Sequence, residues 1–331
     1  MSQSPKIVTI FGGSGFVGRY IARRMAKAGW RVRVAVRRPN EAVFVRPYGV
    51  VGQVEPILAN VRDDASVAAA VAGVDAVVNC VGTFDKGGKN NFDAVQAEGA
   101  TRVARLAAEA GVARMVHISA IGADAEADSL YSTSKGEGEA GVLTHMPGAV
   151  ILRPSVIFGS EDLFFNRFAG MARMSPVLPI AGGETLFQPV HVDDVAHAAA
   201  LGAMGKAPGG VYELGGPDVE SFRTLMHRML GVIHRRRLGL NMPNWIARIM
   251  AFGFDMMQAM SFGLLRNTML TRDQLTTLAH DNVVADEAMG FADLGIQPIS
   301  MEAVLPDYLW RFRPSGQFDA IKDSAQNLRN G

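Results

Sequence analysis

The stretch from Lys6 to Gly29 constrains the fold of this chain more than any other. Lys6 to Phe11 (K-I-V-T-I-F) is a short apolar run rich in β-branched residues, and Gly12 to Arg19 (G-G-S-G-F-V-G-R) follows without a break. Tyr20 to Gly29 then places apolar residues at helical spacing and stops at a glycine. This succession predicts strand, tight turn and helix, the first unit of a doubly wound parallel sheet. Gly12 permits the turn, Gly15 lets the backbone approach a ligand, and Gly18 lets the helix pack on the strand. The helix N-terminus offers free N–H groups to a pyrophosphate. Ser14, Phe16, Val17 and Arg19 fill the turn between the glycines and line the same candidate dinucleotide site.

The next strand, Arg31 to Val36, alternates and ends in Arg37-Arg38. Units that prefer NAD place a carboxylate here to bond the ribose 2′-hydroxyl. Two arginines in its place, with Arg19 nearby, suit a 2′-phosphate held bidentately, so the expected cofactor is NADP(H). Val54 to Ala59 contains Pro56, which belongs on an edge strand and fits strand three of a 3-2-1-4-5 order. Asn60 and Val61 follow where such folds touch adenine, and Asp63 either caps the next helix or meets the ligand. Ala76 to Cys80 is a fourth strand, and its exit places Val81 and Gly82 toward the cofactor, because ligands of open α/β sheets lie beyond the carboxyl ends of the strands.

Farther on, Phe92 to Gly111 predicts one long helix and Arg114 to Ile118 a fifth strand ending in Ser119. Tyr131 and Lys135, four apart, share a helix face. An ammonium beside a phenol is expected to lower the phenol's pKa and suit it to proton transfer, with Ser119 bonding the same reacting oxygen. Ala149 to Arg153 is a sixth strand closed by Pro154. Pro189 to Val195 predicts a helix start with Asp193 as N-cap, and His191 is expected to be structural, since no cluster of metal-ligand spacing accompanies it. Gly210 to Leu214 is a late strand.

Composition excludes some classes. Lys and Arg number 33 against 32 Asp and Glu, so the chain as a whole has no pull toward nucleic acid. Cys80 is the only cysteine, which rules out a disulfide within the chain and suits a reducing compartment. No run long and apolar enough to span a bilayer is present, and the residues before Lys6 are too few for a targeting peptide.

The ordered set G-G-S-G-F-V-G-R, N-C-V-G, Ser119, Y-S-T-S-K, L-R-P-S-V-I-F-G and P-V-H-V-D-D-V-A resembles the short-chain dehydrogenase/reductase superfamily in its extended or atypical branch. The resemblance implies a Rossmann-type sheet and a triad of Ser119, Tyr131 and Lys135, with Lys135 also binding the nicotinamide ribose. It further implies that Arg153, Pro154, Ser155 and Val156 lie beside the nicotinamide. Gln96 stands where many extended members have Asn, a departure in the proton relay. F-G-S-E-D-L-F-F-N-R-F-A, F-Q-P-V-H-V-D-D-V-A, L-T-R-D-Q-L and D-L-G-I are similar to one subgroup, the NAD(P)-binding alpha-subcomplex accessory subunits of respiratory complex I. That resemblance implies NADPH held as a structural element and partner subunits in the peripheral arm near the quinone site and membrane. It implies a peripheral place on the cytoplasmic face of a bacterial inner membrane, or the matrix side for a processed mitochondrial form. An active NADP-dependent reductase or epimerase on a hydrophobic or quinone-like substrate is the competing expectation.

The expected division is a Rossmann domain over 1–217, with part of 160–190 a candidate to join the second domain, and a smaller, mainly helical domain over 218–331 ending in a polar tail from Arg313. Met242 to Asn267 is strongly apolar with few charges, and His234 to Arg237 (H-R-R-R) precedes it. This pairing suits docking to a partner or membrane surface, or else the core of a substrate lid.

Overall fold

The computed structural model describes residues 5–83, 87–242, 272–314 and 316–318. Of the apolar segment Met242 to Asn267 singled out above, only Met242 is among the described residues.

Two compact units are present, and neither is continuous in sequence: one comprises residues 1–155, 192–215 and 284–298, the other 156–191, 216–283 and 299–331. The segment 156–191 thus joins the second unit and 284–298 returns to the first, in place of one cut near 217.

The first unit is built on a seven-stranded sheet. Its strands are β1 (Ile7–Phe11), β2 (Arg31–Val36), β3 (Val54–Leu58), β4 (Ala76–Asn79), β5 (Arg114–Ile118), β6 (Val150–Pro154) and, later, Gly210–Leu214. All pair in parallel, in the spatial order Gly210–Leu214, β6, β5, β4, β1, β2, β3. The central strand β4 is buried along its whole length, which is why Ala76 to Val78 reads as an apolar run. Pro56 sits on β3 at the sheet edge, where its missing N–H costs no ladder bond.

Helices α1 (Phe16–Lys27), α2 (Asp64–Val71), α3 (Glu98–Glu109), α4 (Leu130–His145) and the later helix Val192–Met204 flank the sheet; α1 packs with Val192–Met204, and α3 packs with α2 and α4. Asp63 caps α2, accepting from the Ala65 and Ser66 N–H groups. Two local expectations are corrected. The long helix from Phe92 is interrupted by a π-turn over Asp93–Ala97, with regular α-helix resuming at Glu98. The helix after Pro189 begins at Val192, after a two-residue strand, and Asp193 is inside it; its carboxylate takes both Nε and Nη2 of Arg24 at 2.8 Å, tying this helix to α1.

The strand Gly210–Leu214 has a further neighbour. Tyr212 bridges to Met289, the Glu213 N–H donates to the Met289 carbonyl at 2.8 Å, and the Ala285 N–H donates to the Glu213 carboxylate at 2.9 Å. The returning segment 284–298 thereby covers the sheet's outer strand.

The second unit has its own core, including Phe158, Phe165, Phe187, Phe222, Met229 and Leu305. Its helices Phe165–Met174, Phe222–Val232 and Met301–Leu309 surround three short strand pairs. Asp162, buried, accepts from the Gly159 and Asn166 N–H groups and from the Tyr308 hydroxyl at 2.6 Å. The start of the polar tail expected from Arg313 is held in place: Arg313 Nε donates to the Val232 carbonyl, and Gly316–Phe318 forms a helical turn, while residues 319–331 lie outside the described residues.

Within the first unit α4 lies very close to its neighbours. A Cβ on Gly138 would collide with the Gln96 carbonyl, and one on Gly136 with the Asp124–Ala125 backbone. Gly138→Ala is therefore expected to destabilise the fold by about 1–3 kcal/mol, as overpacking does, and thermal denaturation checks it. The exposed Gly231, with open space around its Cα, is the control, where Ala should be neutral or slightly stabilising.

Candidate functional site

The strand β1 ends at Phe11, and the chain must turn under the sheet's carboxyl edge before α1 begins at Phe16. Gly12 makes the turn with φ +74, and a Cβ there would press within 3.2 Å of the Cys80 carbonyl. A Cβ on Gly18 would collide with Gly12 and Gly13. The α1 N-terminus is thus held against the β1 and β4 exits, where the strand order reverses. Gly15 is the N-cap and no side chain caps the helix, which leaves first-turn N–H groups for a ligand. Arg19 is oriented by bonds to the Ser14 and Gly15 carbonyls, and its guanidinium stacks 5.0 Å from the Phe44 ring. Phe16 lies edge-on to Tyr20, and Ser14 and Val17 are half-buried in the turn.

Arg37 and Arg38 stand exposed at the β2 exit, Arg38 reaching Glu41 at 3.0 Å. At the β3 exit the Asn60 carboxamide accepts the Arg62 N–H, and Val61 is buried. At the β4 exit the Asn79 Oδ1 accepts the Val81 N–H at 3.1 Å, and Gly82 is exposed. Five loop regions therefore converge on one edge of the sheet, with the β5 exit supplying Ser119.

Lys135 and Ser119 are brought together through the backbone: Lys135 Nζ donates to the Ile118 carbonyl at 3.0 Å, one residue before Ser119. Tyr131 lies one turn earlier on α4, edge-on to Phe92 with centroids 6.0 Å apart. Pro154 closes β6, and its carbonyl accepts the Ile121 N–H. Ser155 is buried, with its N–H on the Leu214 carbonyl. Val156 opens the second unit.

The electrostatics correct one expectation. Burial pushes the Tyr131 phenol up to about 12, so Lys135 does not depress it. Burial also lowers Lys135 to about 8, partly offset by the carboxylate of Glu139. The Cys80 thiol is itself pushed up to about 12 by burial, which leaves it protonated and unreactive at neutral pH.

Two buried polar groupings escaped the sequence reading. Asn79 Nδ2 lies 3.2 Å from His117 Nδ1; since Asn79 Oδ1 is occupied by the Val81 N–H, its amide donates and His117 Nδ1 accepts. His117 is therefore neutral with its proton on Nε2, and burial lowers its pKa to about 3. The second is a line of charge: Lys135 faces Glu139, Glu139 takes Arg153 at 2.6 Å, and Arg153 lies 3.7 Å from Glu213. The available signals were a polar residue inside a fully buried strand and a Glu one turn after Lys135.

A dinucleotide suits this arrangement on the structure's own terms. Ser119 Oγ and the Gln96 Oε1 are buried and lack a hydrogen-bond partner among the described residues, a cost that a ligand's polar atoms would relieve. The glycine turn is so close to its own neighbours that no Cβ fits at Gly18, which keeps the α1 N-terminus tight against the β1 exit. Gln96 sits in the π-turn with Nε2 on the Thr83 carbonyl at 2.7 Å, and such turns mark functional sites. No group of metal-ligating side chains occurs among the described residues.

A parallel sheet in this order, a glycine turn at its reversal point and a Tyr–Lys helix beside a strand-end serine define a dinucleotide-binding protein of the dehydrogenase type. The chain belongs to the NAD dependent epimerase/dehydratase family, whose model matches residues 8–215. It is 33% identical over 321 residues to the mitochondrial NADH dehydrogenase [ubiquinone] 1 alpha subcomplex subunit 9 of Arabidopsis thaliana, covering 95% of this chain and 80% of that protein. It is 32% identical over 190 residues to the ceramide reductase of Caulobacter vibrioides, covering 57% of this chain and 58% of that protein. In fold it is similar to the NADPH-dependent quinone oxidoreductase QOR2 of Escherichia coli complexed with NADPH, with a TM-score of 0.69 at 18% identity over 91% of this chain and 98% of that one.

The His117 shift sets a pH dependence. Below its ordinary pKa of 6.5 the unfolded chain binds a proton that the folded protein refuses until about pH 3. Stability must then fall as pH drops through that window, by about 1.4 kcal/mol per pH unit from this group. Urea unfolding between pH 7 and 4 should show this slope, and His117→Asn should flatten it.

Proposed function

We propose that the protein is an accessory subunit of respiratory complex I, the NADH:quinone oxidoreductase, and that it holds NADPH as a structural cofactor. The observation that carries this reading is the extent of similarity. The match to the Arabidopsis complex I subunit runs nearly from end to end, whereas the match to the ceramide reductase stops at little more than half the chain.

The site supports NADPH over NADH through Arg19, Arg37 and Arg38. None of the three is replaced by the carboxylate that would repel a 2′-phosphate, and the Arg19 fork is already oriented by backbone carbonyls. When bound, NADPH supplies a hydride donor; the chain's own residues bind and orient it, through the glycine turn, Val81 and Gly82, and Lys135 and Ser119 at the nicotinamide end. The Tyr131 phenol at about 12 is ionised at pH 7 in on the order of one molecule in 100,000. A protonated phenol is also the form in which a reductase tyrosine donates its proton, so this state fits either reading. The partners in this reading are complex I subunits of the peripheral arm near the quinone site, with the C-terminal region at a partner or the membrane surface. The location is peripheral, on the cytoplasmic face of a bacterial inner membrane or the mitochondrial matrix side. The complete set of Ser119, Tyr131 and Lys135 favours the second reading, an active NADP-dependent reductase or epimerase on a hydrophobic or quinone-like substrate.

Native membranes solubilised in mild detergent should yield this chain co-migrating with NADH-oxidising activity; recovery solely as a free protein would end the proposal. Acid or alkaline extraction of the purified assembly should release NADP(H), and recovery of NAD(H) alone would refute the assignment from the arginines. Tyr131→Phe should leave assembly and respiration intact, whereas the reductase reading requires it to abolish a defined activity. Gly15→Val should lose the cofactor and its stabilisation, roughly 4 kcal/mol at a thousandfold excess over Kd.

A further inference from the structure

The near-neutral total hides a strong local imbalance. Between Pro5 and Arg62 lie eleven Lys and Arg against two acids, Glu41 and Glu55, so this stretch carries +9 of a chain whose net charge is +1. Glu41 is taken by Arg38. Nine of the eleven are arginines, the residue suited to interfacial ion pairs.

The cofactor explains only part of this charge. Arg19, Arg37 and Arg38 stand at the carboxyl edge of the sheet. Lys6 precedes β1, Arg31 opens β2, and Lys27 closes α1, all at the opposite edge and all exposed. Five residues of β1 span about 17 Å, roughly twice the screening length of about 8 Å at physiological salt. Charges at that edge do not act on cofactor phosphates.

The same face carries aromatic and apolar side chains in an ordered arrangement. Arg23 stacks between Tyr20 and Tyr48, 5.4 Å and 4.9 Å from their ring centroids, and Arg19 stacks on Phe44. Phe44 is 44% exposed, Val50 74%, and Val51 fully so. Arg46 is exposed on the helical segment Pro39–Tyr48 that supplies Phe44 and Tyr48. Arginines held against rings lose little entropy on pairing with a carboxylate, and Arg and Tyr beside exposed apolar groups form the chemistry of interface anchors.

We infer that the outer face of α1 and the segment Pro39–Tyr48, continuing to Val50–Val51, docks an acidic surface of a neighbouring protein subunit, with carboxylates meeting Arg23, Lys27, Arg31 and Arg46 around an apolar centre of Phe44, Val50 and Val51. The inference rests on the subunit reading proposed above and names the face through which that assembly is made. The predominance of arginine and the ring-stacked geometry favour a structured carboxylate surface over a diffuse lipid one.

The test uses the full chain expressed in cells lacking the endogenous copy. The wild type should co-migrate with the large assembly. The triple variant Arg23→Glu/Lys27→Glu/Arg46→Glu should fall at least tenfold in assembled fraction while its melting temperature and NADP(H) content stay unchanged. Lys27→Glu/Arg46→Glu, which leaves the Arg23 stack intact, should show a smaller loss and keeps the test valid if the triple variant melts early. Carbodiimide treatment of the wild-type assembly should join Lys27 or Lys6 to an Asp or Glu of another subunit. A wild type that never enters an assembly defeats the subunit reading itself. A wild type that assembles alongside variants that assemble equally well defeats this inference alone. It is also overturned if the purified wild type binds phosphatidylglycerol-containing vesicles through these residues, or forms a dimer in sedimentation that the triple variant loses.

Discussion

The approach of Gly18 to Gly12 is the constraint on which the first unit depends. The two backbones meet so closely that no side chain fits between them, and Gly12 in turn presses on the carbonyl at the β4 exit. Through this contact α1 is locked to β1 at the point where strand order reverses. The exits of β1, β2, β3, β4 and β5 then open on the same side, and loops from distant parts of the sequence become neighbours. The contact contributes by allowing proximity, since a glycine there buries little apolar area of its own.

Behind the candidate nicotinamide end lies a line of charge that is buried at Lys135 and Glu139 and half-buried at Arg153 and Glu213. Lys135, Glu139, Arg153 and Glu213 alternate in sign, and the line ends on the N–H of Ala285. A buried charge is tolerable only when paired, so each member requires the next. Glu139 offsets part of the burial cost of the Lys135 ammonium, and Arg153 pairs with Glu139 at 2.6 Å. The site's lysine is thus supported from well outside the site, by residues on α4, on β6 and on the strand Gly210–Leu214.

What could be seen in the sequence was what is local or periodic. The glycine turn, the buried runs of β1 and β4, the edge position of Pro56 and the cap at Asp63 each follow from a few adjacent residues. What escaped depends on long-range packing. Arg24 finds Asp193 across 169 positions, and no pattern in either segment announces it. The spacing of Tyr131 and Lys135 predicts a shared helix face, and they share one, but spacing carries no information about burial, so the direction of the Tyr131 shift was missed. The π-turn at Asp93–Ala97 leaves no mark in the hydrophobic period. The basic lobe between Pro5 and Arg62 was visible throughout and was lost by averaging over the whole chain.

The returning segment 284–298 has a consequence for how such a chain is made. The outer strand Gly210–Leu214 meets its covering partner only at Met289, some seventy-five residues later in synthesis. At translation speeds of about 5–20 residues per second, that strand waits several seconds with one row of backbone groups unpaired, the condition that invites edge-to-edge association. A chain cut shortly after Gly215 would leave that edge open for good, so the late segment 284–298 acts as a seal on the sheet of its own unit.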